Sequence, residues 1–262
     1  RLLGDKRLPQ LRRPMAGTAL PGRLTWQLAE LVEVVVETPH VKTLVLDVPG
    51  WPGHRAGQHV DVRLTAEDGY QAERSYSVAS ASEGTRVALT VQRLEEGEVS
   101  PYLTDELRPG DKIELRGPIG GYFVWEPSDG GPLMLVAGGS GIVPLMAMIR
   151  TRAAAGNDTE TRLLYSARSQ DDLIYRDELE QVSGNGLTVA YTLTDSQPPG
   201  WTSYARRVDA EMLAEVAPRP AEQPRFYSCG PTPFVEAVAE ALVRLGHETV
   251  SIKTERFGPT GG

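Results

Sequence analysis

The hexapeptide Glu126-Pro127-Ser128-Asp129-Gly130-Gly131 separates two stretches of different periodicity, and the two demand different architectures. Before it, from Trp26 to Phe123, the chain is built from short strand-like runs. Residues 30–36 and 41–48 are rich in Val and Leu and are split by Thr38-Pro39. Residues 58–64 set His59, Asp61 and Arg63 against Val60, Val62 and Leu64, and residues 86–93 alternate through Val87, Leu89 and Val91. A further short strand is expected over 112–116, after Pro109-Gly110. Many short strands with Gly and Pro turns argue for an antiparallel sandwich or barrel, and a Greek-key β-barrel is the fold expected. One helix is expected inside it over 100–107, with Ser100 as N-cap and Pro101 at the first helical position.

After the hexapeptide the pattern becomes strand, helix, strand. Strands are expected at 133–137, 162–166, 187–193, 225–228 and 250–254. Helices are expected at 143–155, 171–181, 209–216 and 233–245. That alternation predicts an α/β domain, a parallel sheet with helices on both faces. The expected organisation is a basic extension over residues 1–25, a barrel domain over 26–127 and an α/β nucleotide-binding domain over 131–262. The extension carries Arg1, Lys6, Arg7, Arg12, Arg13 and Arg23 against Asp5; a surface-draped tail and a docking arm for an acidic partner both fit it.

Composition removes whole classes of function. A net charge of −8 argues against general nucleic-acid binding. The longest apolar run, 142–149, is far too short to span a membrane, and no signal peptide is visible, so a cytoplasmic monomer is expected. Cys229 is the one cysteine, which excludes an internal disulfide and any four-cysteine iron–sulfur or zinc site in this sequence. His40, His54, His59 and His247 show no metal-ligand spacing, and no metal is expected.

Several short motifs carry chemistry. Arg74-Ser75-Tyr76-Ser77, after an expected strand, offers a guanidinium, a phenol and a small hydroxyl, which suit a phosphate, a flat ring and a polar ring edge. Gly97-Glu98-Val99-Ser100 precedes the barrel's helix; a second phosphate site and a simple capped helix both remain open there. Gly138-Gly139-Ser140-Gly141-Ile142-Val143-Pro144 follows a buried strand and opens a helix, so its backbone N–H groups suit a pyrophosphate. It ends in Pro144 where the common dinucleotide fingerprint has Gly.

Tyr165-Ser166-Ala167-Arg168 ends the next strand. Ser166, Arg168 and Arg176 can clamp a 2′-phosphate, or the two arginines can simply pair with Asp171, Asp172 or Asp177. Cys229-Gly230-Pro231 ends another strand, where a thiol followed by Gly lets a flat ring approach; a buried small hydrophobe is the plainer reading. Glu255-Arg256-Phe257 places an aromatic near the end of the sequence, as core packing or as a lid over a ring.

In this order the motifs, together with Gly117-Pro118-Ile119-Gly120, resemble the ferredoxin–NADP⁺ reductase superfamily over residues 27–257, and most of all the bacterial reductases that feed ferredoxins or oxygenases. The resemblance implies FAD and NADPH as cofactors, with NADH as the alternative donor, and a separate electron-acceptor protein: a ferredoxin, an oxygenase or a haem protein. It implies that Arg74 binds the flavin pyrophosphate, that Tyr76 packs on the flavin and that Ser77 hydrogen-bonds near its N5. Val91 would line the flavin site, and Ser100 with the amides of Gly97 and Val99 would complete the phosphate site. Gly139, Ser140, Gly141 and Pro144 would line the nicotinamide and pyrophosphate channel. Ser166, Arg168 and Arg176 would hold the 2′-phosphate. Cys229, Gly230 and Pro231 would sit beside the nicotinamide, Glu255 would orient that ring or move protons, and Phe257 would cover the flavin. A flavin-binding regulatory module and a free-flavin reductase are the competing functions. Two departures from the family pattern stand out: the cysteines of a plant-type iron–sulfur domain are absent, and Gly-Pro-Thr-Gly-Gly follows Phe257.

Overall fold

The structure, a computed structural model, describes residues 24–257. All but the last two residues of the expected basic extension, and the tail after Phe257, lie outside the described residues.

The first half forms six strands: β1 (Gln27–Thr38), β2 (Val41–Asp47), β3 (His59–Thr65), β4 (Gln71–Ser77), β5 (Arg86–Gln92) and β6 (Lys112–Ile119). They pair antiparallel in the order β4-β3-β6-β1-β2-β5. The two outer strands meet through an isolated bridge, Val78 to Leu89, which curls the sheet into a barrel. The alternation seen in the sequence becomes its wall: Val60 and Val62 point into a core with Leu44, Leu46, Leu89, Val91 and Leu115, while His59, Asp61 and Arg63 face outward.

The second half forms β7 (Leu133–Gly138), β8 (Thr161–Ala167), β9 (Leu187–Leu193), β10 (Arg225–Pro231) and β11 (Ile252–Phe257), all parallel, in the order β11-β10-β7-β8-β9. Every residue of β7 is buried, as expected of a central strand covered on both sides. Helices α1 (Ile142–Ala154) and α2 (Arg176–Val182) pack on one face, and α3 (Ala210–Val216) and α4 (Thr232–Arg244) on the other.

Four expectations about local structure need correction. Arg74 to Ser77 does not follow a strand but lies in one: the Asp68-Gly69 turn folds β4 back onto β3 with Arg74 opposite Val62 and Ser77 opposite His59. The barrel's helix is one wide π-turn, Tyr102–Glu106, and Ser100 does not cap it; its hydroxyl turns back to accept from the Leu94 amide at 3.1 Å. The helix expected over 171–181 is broken by three consecutive buried residues, Leu173, Ile174 and Tyr175. The Ile174 amide donates to Tyr165 Oη at 3.1 Å, Tyr175 takes a left-handed φ of 59°, and only then does α2 begin. Finally, the last strand starts at Ile252 rather than 250, because Val250 sits 82% exposed on a short 3₁₀ turn.

The two domains share a core. Ala56, Ala79, Phe123 and Trp125 of the barrel side pack with Met148 of α1 and Tyr227 of β10, and the Phe123 and Tyr227 rings meet edge to face at 5.4 Å. Gly57 holds this junction closed. Its φ is +94°, and a Cβ there would stand 1.8 Å from the Phe123 carbonyl oxygen. Gly57→Ala is therefore expected to cost about 2 kcal/mol or more, roughly a 5 °C fall in Tm in a thermal melt.

Candidate functional site

Parallel pairing brings four separate sequence motifs to one edge of the sheet. At the carboxyl ends, Glu255 lies opposite Cys229, Cys229 opposite Ala137, and Gly138 opposite Ser166. Read across the sheet, the order is Glu255, Cys229, the glycine turn and Ser166. That is the edge where ligands of open α/β sheets are bound.

The glycine turn is pressed against β10. A Cβ on Gly141 would lie 2.0 Å from the Cys229 carbonyl oxygen, and one on Gly138 would meet the Phe234 ring at 2.9 Å. Gly139 differs: its φ is +53° and nothing stands within 4 Å of where its Cβ would be. The turn thus leaves open backbone at the start of α1, which fits a nucleotide phosphate. Ser140 is half-buried beside it, and Pro144 is buried in the first turn of α1. Gly230 has a φ of +155°, and a Cβ there would lie 3.0 Å from the Gly138 carbonyl oxygen; Pro231 lies exposed opposite Phe257.

Cys229 is fully buried, and its thiol donates to Glu255 Oε2 at 3.7 Å. Burial, and then the neighbouring carboxylate, push the thiol well above its ordinary range. It is a neutral wall, not a thiolate nucleophile. Burial also lifts Glu255 to about 7, against a smaller opposing effect from the Cys229 hydrogen bond. Glu255 can therefore hold or release a proton near neutral pH. Phe257 is half-buried against the shared core.

On the barrel, Arg74 and Tyr76 fall on one face of β4 with buried Ala72, and Ser75 and Ser77 on the other. Only a ligand lying over the end of the strand, where Ser77 closes it, reaches all three groups. Burial raises the Tyr76 hydroxyl to about 12, so it stays protonated. The fold joins Arg74 to the Gly97–Ser100 segment through Glu98, whose carboxylate lies 3.6 Å from Arg74 Nη2 and accepts from Tyr70 Oη at 3.0 Å. The Gly97 amide is engaged by the Leu94 carbonyl at 3.0 Å, so it is not the free donor expected. Ser100 accepts from Leu94, and its own O–H remains able to donate. The Val91 and Val99 side chains are wholly inside the barrel core and line no open surface.

Arg168 and Arg176 are held by different carboxylates. Arg168, 72% exposed, pairs with Asp172 at 2.9 Å, and Arg176 pairs with Asp177 at 3.2 Å. The clamp with Ser166 is not assembled, because each guanidinium has an acid on its own segment. His59 was missed in the sequence. It lies opposite Ser77 and Ile119, and burial, partly offset by Asp61, lowers its pKa. Its only signal was its place in an outward-facing alternation, which reads as a solvated wall.

Comparison with known proteins agrees with this geometry. Residues 29–124 match the family described as the oxidoreductase FAD-binding domain, and residues 135–240 the oxidoreductase NAD-binding domain. The chain is 34% identical over 238 residues to ferredoxin–NADP reductase B of Sorangium cellulosum, covering 87% of this chain and 96% of that protein. It is 34% identical over 211 residues to NADH-cytochrome b5 reductase 1 of Aspergillus terreus, covering 77% of this chain and 69% of that one. Among solved structures, the cytochrome P450 reductase GcoB of Amycolatopsis superposes with a TM-score of 0.78 at 28% identity, over 91% of this chain and 71% of that one. No described helix is long and apolar enough to cross a membrane.

The raised Glu255 carboxyl has a measurable consequence. A carboxyl with a folded pKa near 7, against an ordinary 4.5, stabilises the fold in its protonated form. That contribution is complete below the ordinary value and is lost as pH rises through the folded one. Thermal midpoints measured from about pH 5 to about pH 8 should fall in the parent, and Glu255→Gln should remove that part of the slope.

Proposed function

The chain belongs to the ferredoxin–NADP⁺ reductase superfamily and is an FAD-dependent NAD(P)H oxidoreductase; on that premise we propose that NADPH is its donor and that a separate protein takes the electrons. The carrying observation is the sheet edge on which Glu255, Cys229, the open Gly139 turn and Ser166 stand in a row. When bound, FAD would supply the chemistry: it takes up one hydride, two electrons with a proton, and releases the electrons singly.

The chain's own residues do the rest. Arg74, freed from Glu98, and the Ser100 hydroxyl would hold the flavin phosphates. Tyr76 would cover the ring, and Ser77 would donate to its polar edge. The Gly139 backbone would receive the nicotinamide nucleotide's pyrophosphate, with Cys229 as a neutral wall beside the nicotinamide. Glu255 would hold a proton next to that ring. Arg168 is 72% exposed, so its pair with Asp172 can be exchanged for a 2′-phosphate, which supports NADPH. The acceptor is a ferredoxin, an oxygenase component or a haem protein, since a single cysteine leaves no place for an iron–sulfur cluster in this sequence. Dependence on reduced nicotinamide favours a cytoplasmic setting.

One observation favours a second reading, in which flavin is an exchangeable substrate: Glu98 already occupies Arg74. Yellow protein surviving gel filtration supports bound FAD; colourless protein that reduces added flavin supports the alternative.

Anaerobic titration with NADPH and NADH tests the main reading. NADPH should bleach the flavin at the lower concentration, and Arg168→Glu should move the preference toward NADH; an unchanged ratio of the two counts against Arg168. Ser77→Ala should slow flavin reduction in stopped flow by roughly tenfold to a hundredfold while flavin retention changes little. An unaltered reduction rate removes Ser77 from the site.

A further inference from the structure

Among the described residues, polar ties join the domains in two regions; in the first, beside the linker, Tyr122 Oη donates to the Ile252 carbonyl at 3.5 Å. Tyr227 Oη and Lys253 Nζ both donate to the Val124 carbonyl, at 2.7 and 3.1 Å. Val124 lies two residues before the connecting hexapeptide, so this tie adds little to a joint the chain already makes. The other tie reaches a different part of the barrel. Arg150, on α1, donates through Nη1 to the Ala79 carbonyl at 2.8 Å. Its other donors fork onto Glu178 of α2 at 2.9 and 2.5 Å, and its guanidinium lies over the Tyr175 ring at 4.7 Å.

Tyr175 continues the tie into the barrel. Thr43 donates to Glu37 at 2.6 Å, so its oxygen accepts from Thr90 at 2.8 Å, and Thr90 in turn accepts from Tyr175. The hydroxyls form one chain of donors running from Tyr175 to the Glu37 carboxylate, with Tyr175, Thr90 and Thr43 all buried. Burial raises the Glu37 carboxyl, while the Thr43 hydrogen bond and the charge of Arg150 pull it back.

The positions of these residues matter. Arg150 shares α1 with the Gly139–Gly141 turn that opens it. Ala79 lies two residues after Ser77. Tyr175 directly precedes Arg176, and α2 carries Glu178. One guanidinium therefore links the flavin-side strand end, the nucleotide turn's helix and the segment of the 2′-phosphate candidates. The shared apolar core and the ties beside the linker hold the domains together near the connection, and the Arg150 tie adds a second, distant point that restricts their angle.

We propose that Arg150 and Tyr175 form an interdomain latch that sets the angle between the two half-sites, making Arg150 a positioning residue for hydride transfer. The proposal rests on the reading above that flavin and nicotinamide meet at this junction. Near-contact transfer is steeply sensitive to small misplacements, so a latch remote from the reacting atoms has leverage on the rate.

The test uses the flavin-loaded full chain and the variants Arg150→Met, Arg150→Lys, Tyr175→Phe and Thr90→Val. In hydrogen exchange, Arg150→Met and Thr90→Val should raise exchange about tenfold together in the peptides spanning 78–90 and 173–182, leaving β3 and β7 protected. A rise confined to one of these peptides, or spread over the whole chain, overturns the latch. In stopped flow with NADPH, the limiting reduction rate of Arg150→Met should fall about tenfold, with under a threefold change in half-saturation and a weakened flavin–nicotinamide charge-transfer band. Arg150→Lys keeps the charge but lacks the fork, and should recover less than half of the loss. Full recovery by lysine, or an unchanged rate and band with only a lowered Tm, overturns the positioning role. If Arg150→Met does not fold, Thr90→Val and Tyr175→Phe carry both measurements, with non-additive effects expected in the double variant. If neither nucleotide bleaches the parent protein, the proposed function falls, and hydrogen exchange still decides the latch.

Discussion

At Gly141 one stretch of backbone rests directly on another, and the arrangement of the site depends on it. The turn after β7 can approach the end of β10 only because position 141 has no side chain, its Cβ position falling 2.0 Å from the Cys229 carbonyl. That contact sets the height at which α1 starts, with the open Gly139 backbone in the turn just before the helix and, about two turns into it, the guanidinium that reaches the barrel. A bulkier residue would lift the helix, the nucleotide turn and the interdomain tie together, because packed interiors transmit such displacements rather than absorb them.

Much of this was legible in the sequence, and the reasons are specific. The change of periodicity at residues 126–131 separates the antiparallel sheet from the parallel one, since alternation and helix–strand repetition are direct signatures of the two. The motifs at 138–144, 165–168 and 229–231 read as the ends of expected strands and 255–257 only as a segment near the end of the sequence, and spacing does not carry the spatial order of the four. It follows from β10 and β11 being added on the far side of β7, a choice of topology that leaves no local trace. Tyr175 was invisible for the opposite reason. Three buried residues in a row look like a helix segment, and only tertiary packing shows that they break it.

The charges teach a different lesson. Arg74, Arg168 and Arg176 were chosen as anion binders, and each has a carboxylate partner: Glu98, Asp172 and Asp177. Such exposed pairs contribute little to stability and exchange readily. Their effect is on discrimination, because an incoming phosphate must displace an acid already in place. Arg150 is different. It is 22% exposed; burial opposes its charge, and the Glu178 fork together with the neighbouring Tyr175 and Glu37 more than offsets that. The half-buried arginine ties the two domains, while the exposed ones remain accessible to solvent.

Strand β4 ends the antiparallel sheet, and among the described residues it is followed on that side by the bridge from Val78 to Leu89 and the adjoining Ala79–Ala88 hydrogen bond. The strand that carries Arg74 and Tyr76 is thus an open margin whose outer backbone groups have no continuous sheet partner. Such margins invite strand addition by neighbouring molecules, and the charged Glu73 and Arg74 are the kind of residue that discourages it. A flavin lying across this margin would serve a second purpose as its cover. On the proposed reading, the chain without flavin would leave this margin uncovered, so flavin supply during synthesis would bear on colloidal behaviour as well as on redox competence.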